Sequence, residues 1–236
     1  MIKLRDIVLD ILFPRFCVGC AEEGRYLCES CTLFVSEVDF SCPVCDKPEF
    51  FGKRHEKCRE DGSPDGGISF WSYEGLIKQM ILRTKYRCLI DIPRELIDYG
   101  LLSIQESEYR FSEFTKFLFD KKTVLSYVPL HKEREKRRGF DQAKVAAEHL
   151  AKRAGKRVIP LLKRNKETKP QTELQSKEER FLNTENTFSF LYGKKPEQVV
   201  LVDDVLTSGA TTKECTKALK RKGVKRVWLL TLAKTI

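Results

Sequence analysis

The stretch Val199-Val-Leu-Val-Asp-Asp-Val-Leu-Thr-Ser-Gly-Ala-Thr-Thr212 decides the fold. Its opening, extended back to Gln198, is continuous and β-branched, the pattern of a parallel strand buried on both faces. Two adjacent carboxylates, Asp203 and Asp204, follow where the strand delivers its chain to the sheet edge, and ligands of open α/β sheets bind at that edge. Thr207, Ser208, Gly209, Ala210 and Thr211 then form a small-residue turn into a helix. Backbone N–H groups and hydroxyls of such a turn suit a phosphate, and the helix N-terminus adds partial positive charge. Gly209 allows close backbone approach and unusual dihedrals. The paired acids suit sugar hydroxyls and, directly or through water, a Mg²⁺.

The flanking sequence repeats the alternation of strand and helix. Downstream, 211–222 reads as a helix closed by Gly223, and 226–232 as a last strand. Upstream, 123–130 (TVLSYVPL) is a strand ending at Pro129. Ala143, Ala146, Ala147, Leu150, Ala151 and Ala154 then recur at helical spacing before a stop at Gly155. A second strand is predicted over 157–162 and a short one over 187–191. Between them, 165–183 is polar and aperiodic, and a structureless stretch of that length in a compact domain is usually functional or disordered. Before residue 120 the pattern gives a strand at 68–73, a helix at 74–83, and one or two helices within 92–119. Strands alternating with helices predict an α/β fold with a parallel sheet over about 120–236.

The first 66 residues obey a different rule. Residues 2–12 read as a short amphipathic entry helix ended by Pro14, and 15–66 has little apolar periodicity to bury. Seven of the nine cysteines lie there, as Cys17-x-x-Cys20, Cys28-x-x-Cys31, Cys42-x-x-Cys45 and His55-x-x-Cys58. A two-residue gap lets both side chains of a tight turn converge on one ion, and two such turns complete a tetrahedron. Chain order suggests one Zn²⁺ on Cys17, Cys20, Cys28 and Cys31 and another on Cys42, Cys45, His55 and Cys58, with interleaved pairing the alternative that the sequence leaves open. With every position filled by protein, both sites would be structural. The predicted organisation is a zinc-ribbon domain with its helix at 1–66 and an α/β domain at 67–236.

Composition narrows the function classes. The chain of 236 residues carries Lys+Arg 44 against Asp+Glu 34, a formal +10, with 33% charged residues. Two zinc sites would bring +10 to about +7, still basic enough to favour phosphorylated or polyanionic partners. No apolar run approaches the roughly 18 residues of a membrane span. Aspartates interrupt the apolar start at Asp6 and Asp10, which argues against a signal peptide. Clustered thiols read as metal ligands fit a reducing compartment, so the expected localisation is cytoplasmic.

The 199–212 string closely resembles the phosphoribosyl-diphosphate (PRPP) signature of type I phosphoribosyltransferases. The chain as a whole resembles the ComF family. The resemblance rests on the opening LFPRFCVGC, the four knuckles, Tyr73-Glu74-Gly75 with Thr84-Lys85-Tyr86-Arg87, and VPLHKEREKRRGFDQA, and continues through Gln171, Leu174, Arg180 and Asn183 to the signature. Asp141 stands where that family usually has Asn, and His55 where it usually has Cys. The resemblance implies a type I phosphoribosyltransferase-like parallel sheet with helices on both faces behind a small zinc-ribbon domain, and a role in natural transformation. It also implies that Asp203 and Asp204 hold the ribose diol of PRPP with Mg²⁺, and that Leu130, His131 and Arg137 or Arg138 lie at the diphosphate. It places a closing loop over 164–183. Residues 131–157 carry ten Lys/Arg against four acids, a solvated basic face by default that here abuts the phosphate loop.

Two functions fit these expectations. One is Mg²⁺-dependent phosphoribosyl transfer to an unknown acceptor. The other is a non-catalytic PRPP- or nucleotide-binding adaptor that contacts single-stranded DNA or a competence helicase. In the second, Lys163, Arg164, Lys166, Lys169 and the 217–226 cluster would track a nucleic-acid backbone, and Phe50, Phe51 and Phe70 would offer stacking surfaces.

Overall fold

The computed structural model describes residues 14–87, 89–165, 187–191, 193 and 195–236. The predicted helix at 2–12, Cys88, and the closing loop apart from Arg164 and Asn165 lie outside the described residues.

A one-turn helix α1 (Glu29–Thr32) sits within the cysteine-rich segment. It is followed by β1 (Gly66–Ser72), α2 (Gly75–Arg87), α3 (Asp91–Glu106), α4 (Glu108–Phe119), β2 (Thr123–Tyr127), α5 (Lys132–Arg138) and α6 (Gln142–Ala154). The chain closes through β3 (Leu162–Arg164), β4 (Phe188–Phe190), β5 (Gln198–Leu206), α7 (Ala210–Arg221) and β6 (Arg226–Lys234). The main sheet runs β1-β6-β5-β2 with every pair parallel. β5 is central, which explains its unbroken apolar run. Val200 and Val202 face a core shared with Leu125, Trp228, Ile97 and Phe114, while Val199 and Leu201 face Cys215 and Leu219 of α7. Helices therefore cover both faces, as a parallel sheet requires.

Two expectations are corrected. The predicted strand at 157–162 is broken. Residues 157–159 add a short parallel step to β2, in which Leu125 N–H donates to the Arg157 carbonyl and Ile159 N–H to the Leu125 carbonyl. The ladder then stops: Leu161 N–H, the next donor in register, goes to Ser126 Oγ at 3.3 Å, and β3 turns away to pair antiparallel with β4. β5 does not stop at Val202 but extends through both acids to Leu206, in register with β6 as far as Lys234. Residues 132–138, without apolar periodicity, form a helix all the same, closed by Gly139 in the left-handed region at φ 78°.

The cysteine-rich segment joins the main core. Cys17, Val18, Leu27, Cys28 and Cys31 are buried against the cluster that holds Ile77, Met80 and Ile97. The Glu95 carboxylate accepts from the N–H groups of Tyr26 (3.2 Å) and Leu27 (2.7 Å), and the Tyr99 hydroxyl donates to the Leu27 carbonyl. The third knuckle, Cys42-x-x-Cys45, lies on the face of β1, where a Cβ at Gly67 would stand 3.3 Å from Pro43.

Candidate active site

Asp203 and Asp204 come from the last residues of β5, held at fixed backbone positions by β6 on one side. They open into a cavity of about 520 Å³ at the C-terminal edge of the sheet. Its walls come from five directions: Tyr73 after β1, Lys85 and Tyr86 from α2, Leu130 after β2, Arg134, Arg137 and Arg138 from α5, and Arg164 from β3. Asp141, Gln142, Thr207 and Thr211 complete the lining. Five cationic side chains thus surround three carboxylates, a balance suited to a multiply phosphorylated ligand bearing hydroxyls.

The acids are not equivalent. Asp203 Oδ1 accepts the Asp204 N–H and Asp204 Oδ1 accepts the Val205 N–H, each at 2.8 Å. Lys85 Nζ sits 2.7 Å from Asp204 Oδ2. Oriented so that both its amide groups are satisfied, Gln142 donates to that same oxygen at 2.8 Å and accepts from the Lys85 backbone N–H at 3.1 Å. Burial opposes the charge of Asp204, but the Lys85 ammonium, Arg138 and the Val205 N–H outweigh it and hold this carboxyl below its ordinary range. Asp203 goes the other way: burial, then the charge of Asp204, push it well above. Burial alone would depress Lys85, yet Asp204 holds it above its ordinary value. Burial and mutual charge thus push the two neighbouring acids in opposite directions, with the Lys85 ammonium on the side of Asp204.

The 207–211 loop follows directly. Gly209 takes φ 72° and precedes α7 as its N-cap, a conformation that costs a side-chain-bearing residue roughly 1–2 kcal/mol. Thr212 Oγ1 donates to the Gly209 carbonyl at 3.0 Å, and Ala210 N–H approaches Ser208 Oγ at 3.4 Å. Of the sequence-predicted residues, Asp203, Asp204, Thr207, Thr211, Leu130, Arg137 and Arg138 line one cavity. Ser208, Gly209 and Ala210 line another cleft, against Pro43 and Val44 of the third knuckle. His131 is placed differently: it is the N-cap of α5, its Nδ1 accepting from Glu133 N–H at 3.4 Å.

Sequence reasoning left Lys85 without a role and passed over Gln142. Neither has a local signal, because both meet Asp204 only through tertiary packing. Asp141 is the N-cap of α6, its Oδ1 accepting from Lys144 N–H at 3.2 Å. Its other oxygen accepts from Leu130 N–H at 2.8 Å, fixing the turn after β2.

Asp141 also makes stability pH-dependent. Burial, against the pull of the two N–H donors, raises its carboxyl from 3.8 to about 6. Between those two values the folded chain keeps a proton that the unfolded chain releases, so stability falls as pH rises through this window. The unfolding free energy of Asp141→Asn relative to wild type is therefore expected to increase from about pH 4 to about pH 6 and level off above. Urea unfolding across that range checks it, and a pH-independent difference would contradict the assignment.

The cysteine motifs converge in chain order. Cys17, Cys20, Cys28 and Cys31 form one group, and Cys42, Cys45, His55 and Cys58 another, with ligand atoms in each within 4.8 Å of one another. Cys20 and Cys28 sulfurs are 3.5 Å apart, and Cys45 Sγ is 3.3 Å from His55 Nδ1. Backbone N–H groups of Cys28 and His55 point at the sulfurs of Cys17 and Cys42, each at 3.4 Å. Burial would raise Cys17, but N–H donors from Cys20, Cys28 and Gly19 bring it down to about 6; Cys31, buried beside that sulfur, is pushed up to about 12. Thiols crowded so that one ionises at the expense of its neighbour suit a divalent cation, which neutralises all of them together. Both groups fit Zn²⁺ in composition and spacing.

Comparison with known proteins agrees with this geometry. Residues 136–235 match the family model described as phosphoribosyl transferase domain. The competence protein ComFC of Bacillus subtilis is 28% identical over 208 residues, covering 84% of this chain and 79% of the relative. Competence protein F of Haemophilus influenzae is 26% identical over 216 residues, 88% of this chain and 90% of the relative. ComFC of Streptococcus pneumoniae is 26% identical over 213 residues, 88% and 87%. The chain is thus similar over most of its length to competence proteins of the ComFC type, matches a phosphoribosyl transferase domain over 136–235, and carries two cysteine-rich groups able to hold zinc.

Proposed function

We propose that the protein binds PRPP through Asp203, Asp204 and the 207–211 loop and transfers its phosphoribosyl group, with Mg²⁺, to an acceptor in a pathway serving DNA uptake. One observation carries this reading: the acids at the end of β5, the loop into α7 and the cationic side chains of α5 meet in one cavity. The two carboxyls suit the ribose 2′- and 3′-hydroxyls, and the loop suits the 5′-phosphate. Arg134, Arg137 and Arg138 are placed to favour the departing diphosphate. Mg²⁺ chelated by that diphosphate would neutralise part of its charge. Chemistry of this kind needs positioning and charge stabilisation rather than a protein nucleophile. Zn²⁺ in the two cysteine groups would be structural, since protein fills all four positions. The thiol-rich metal sites support a cytoplasmic setting, and among the described residues no helix is long and apolar enough to cross a membrane.

A second reading, the adaptor for single-stranded DNA or a competence helicase, has its own support. Phe50 and Tyr109 are exposed and form a ring cluster with Phe51, with Lys53 nearby on Glu113. Arg54, Arg59, Lys217, Lys220, Arg221 and Lys225 line a separate cleft. Pyrophosphate release from PRPP in the presence of candidate acceptors, abolished by Asp203→Asn, would establish the enzyme. DNA binding that weakens with salt and survives Asp203→Asn, with no pyrophosphate released, would establish the adaptor.

A further inference from the structure

Lys85 does something that neither reading above assigns. An adjacent pair of carboxylates at a sheet edge ordinarily attracts a hydrated divalent cation from solution. Here the oxygens of Asp204 are already committed. Oδ1 accepts the Val205 N–H, and Oδ2 carries both the Lys85 ammonium at 2.7 Å and the Gln142 amide at 2.8 Å. The first oxygen of Asp203 is likewise occupied by the Asp204 N–H. The ammonium is not an incidental surface charge, because its side chain and that of Asp204 are only 20% and 19% exposed. It is also held from behind, since Gln142 grips the Lys85 backbone while touching the same carboxylate. A cation of charge two approaching Asp204 alone would have to displace a fixed cation of charge one and break two charge-assisted hydrogen bonds. Asp204 as built does not fit a bare metal ion.

We propose that Lys85 is a built-in counter-cation that bars free divalent metal from Asp204, so that metal enters only as its complex with a diphosphate ligand. A ligand bringing its own phosphates supplies the missing coordination, and its hydroxyls can take up Asp203 and Asp204 as acceptors while the ammonium stays within reach of added negative charge. The consequence is an order of binding. Metal alone leaves the site untouched, and metal with the diphosphate binds as a unit. The second half of this inference rests on the PRPP reading; the first rests on geometry alone.

Mn²⁺ is the probe, followed by the fall of its free paramagnetic resonance signal in wild type, Lys85→Met, Lys85→Arg and Lys85→Met/Asp204→Asn. Each is titrated without and with PRPP, and thermal melting confirms the fold of each variant. The expected result is weak binding of Mn²⁺ alone to wild type and Lys85→Arg, with about tenfold or greater tightening in Lys85→Met that the added Asp204→Asn removes. Adding PRPP is expected to create a tight Mn²⁺ site in wild type. Lys85→Met binding Mn²⁺ no better than wild type would overturn the role of Lys85, as would a tight Mn²⁺ site in wild type without PRPP. Should Lys85→Met fail to fold, wild type still decides, because strong Mn²⁺ binding without PRPP contradicts the proposal and binding only with PRPP supports it. Failure of PRPP to bind any of the proteins would instead count against the reading of the preceding section, while the titrations with Mn²⁺ alone still decide whether Lys85 bars it.

Discussion

Stripping Zn²⁺ from the protein is expected to lower its melting temperature by at least about 10 °C. A structural Zn²⁺ contributes an apparent ~10–16 kcal/mol in small zinc modules, against a total of about 5–15 kcal/mol for a whole domain. Even about 4 kcal/mol lost would shift a chain of this size by roughly 10 °C. The effect cannot stay local, because the cysteine-rich segment has no core of its own: Cys17, Val18 and Leu27 are buried with Ile77, Met80 and Ile97. Further ties cross the same boundary. Arg110 donates to the Val38 carbonyl and lies over the Phe40 ring at 4.2 Å, and Lys234 at the end of β6 reaches Ser41 Oγ at 2.8 Å. Cys58→Ser, which removes one ligand of the second group, is expected to reduce bound zinc from two equivalents to one and to destabilise in the same sense. Metal analysis with scanning calorimetry tests both, and unchanged melting after chelation would contradict a structural role for the metal.

Asp203→Asn is expected to weaken PRPP binding without comparable loss of stability. Burial and then the charge of Asp204 oppose the ionisation of Asp203, and Asn keeps both its shape and an oxygen to accept the Asp204 N–H. The folded state therefore gives up little. The ligand gives up more, because a hydrogen bond from a sugar hydroxyl to a carboxylate contributes about 1.5–3 kcal/mol, or about 10- to 150-fold in Kd. Asp204 is a poorer test: replacing it leaves the ammonium of Lys85 buried without its partner, a change that can cost about 3–5 kcal/mol of stability. Calorimetric binding paired with thermal melting separates the two effects. Equal affinity in Asp203→Asn and wild type would remove Asp203 from the site.

The contrast between these acids shows what sequence could and could not reveal. Asp203 and Asp204 were legible because they interrupt an apolar run at the edge of a strand, and Gly209 because a tight bend before a helix needs its conformational freedom. The cysteine groups were legible because their spacing is a local property of tight turns. Lys85 was not, since its partner lies 119 positions away along the chain and its neighbours Thr84 and Tyr86 give no apolar signal. Nor was helix α5, whose seven residues are all charged; only Gly139 beyond it marked an end. Nor was the break after Ile159, because apolar residues continue on both sides of Pro160 at Ile159 and Leu161 while the chain changes partner from β2 to β4. Periodicity reports burial, and each of these features is set by something else: a distant charge, a cap, or a change of partner strand.

The most direct test of the account is calorimetric titration of the intact protein with PRPP in the presence of Mg²⁺. One saturable site per chain is predicted, lost or much weakened when Mg²⁺ is withdrawn and weakened by Asp203→Asn. Absence of binding heat at millimolar PRPP, or full affinity retained in that variant, would mean that the acidic strand end and the loop beside it serve some other ligand.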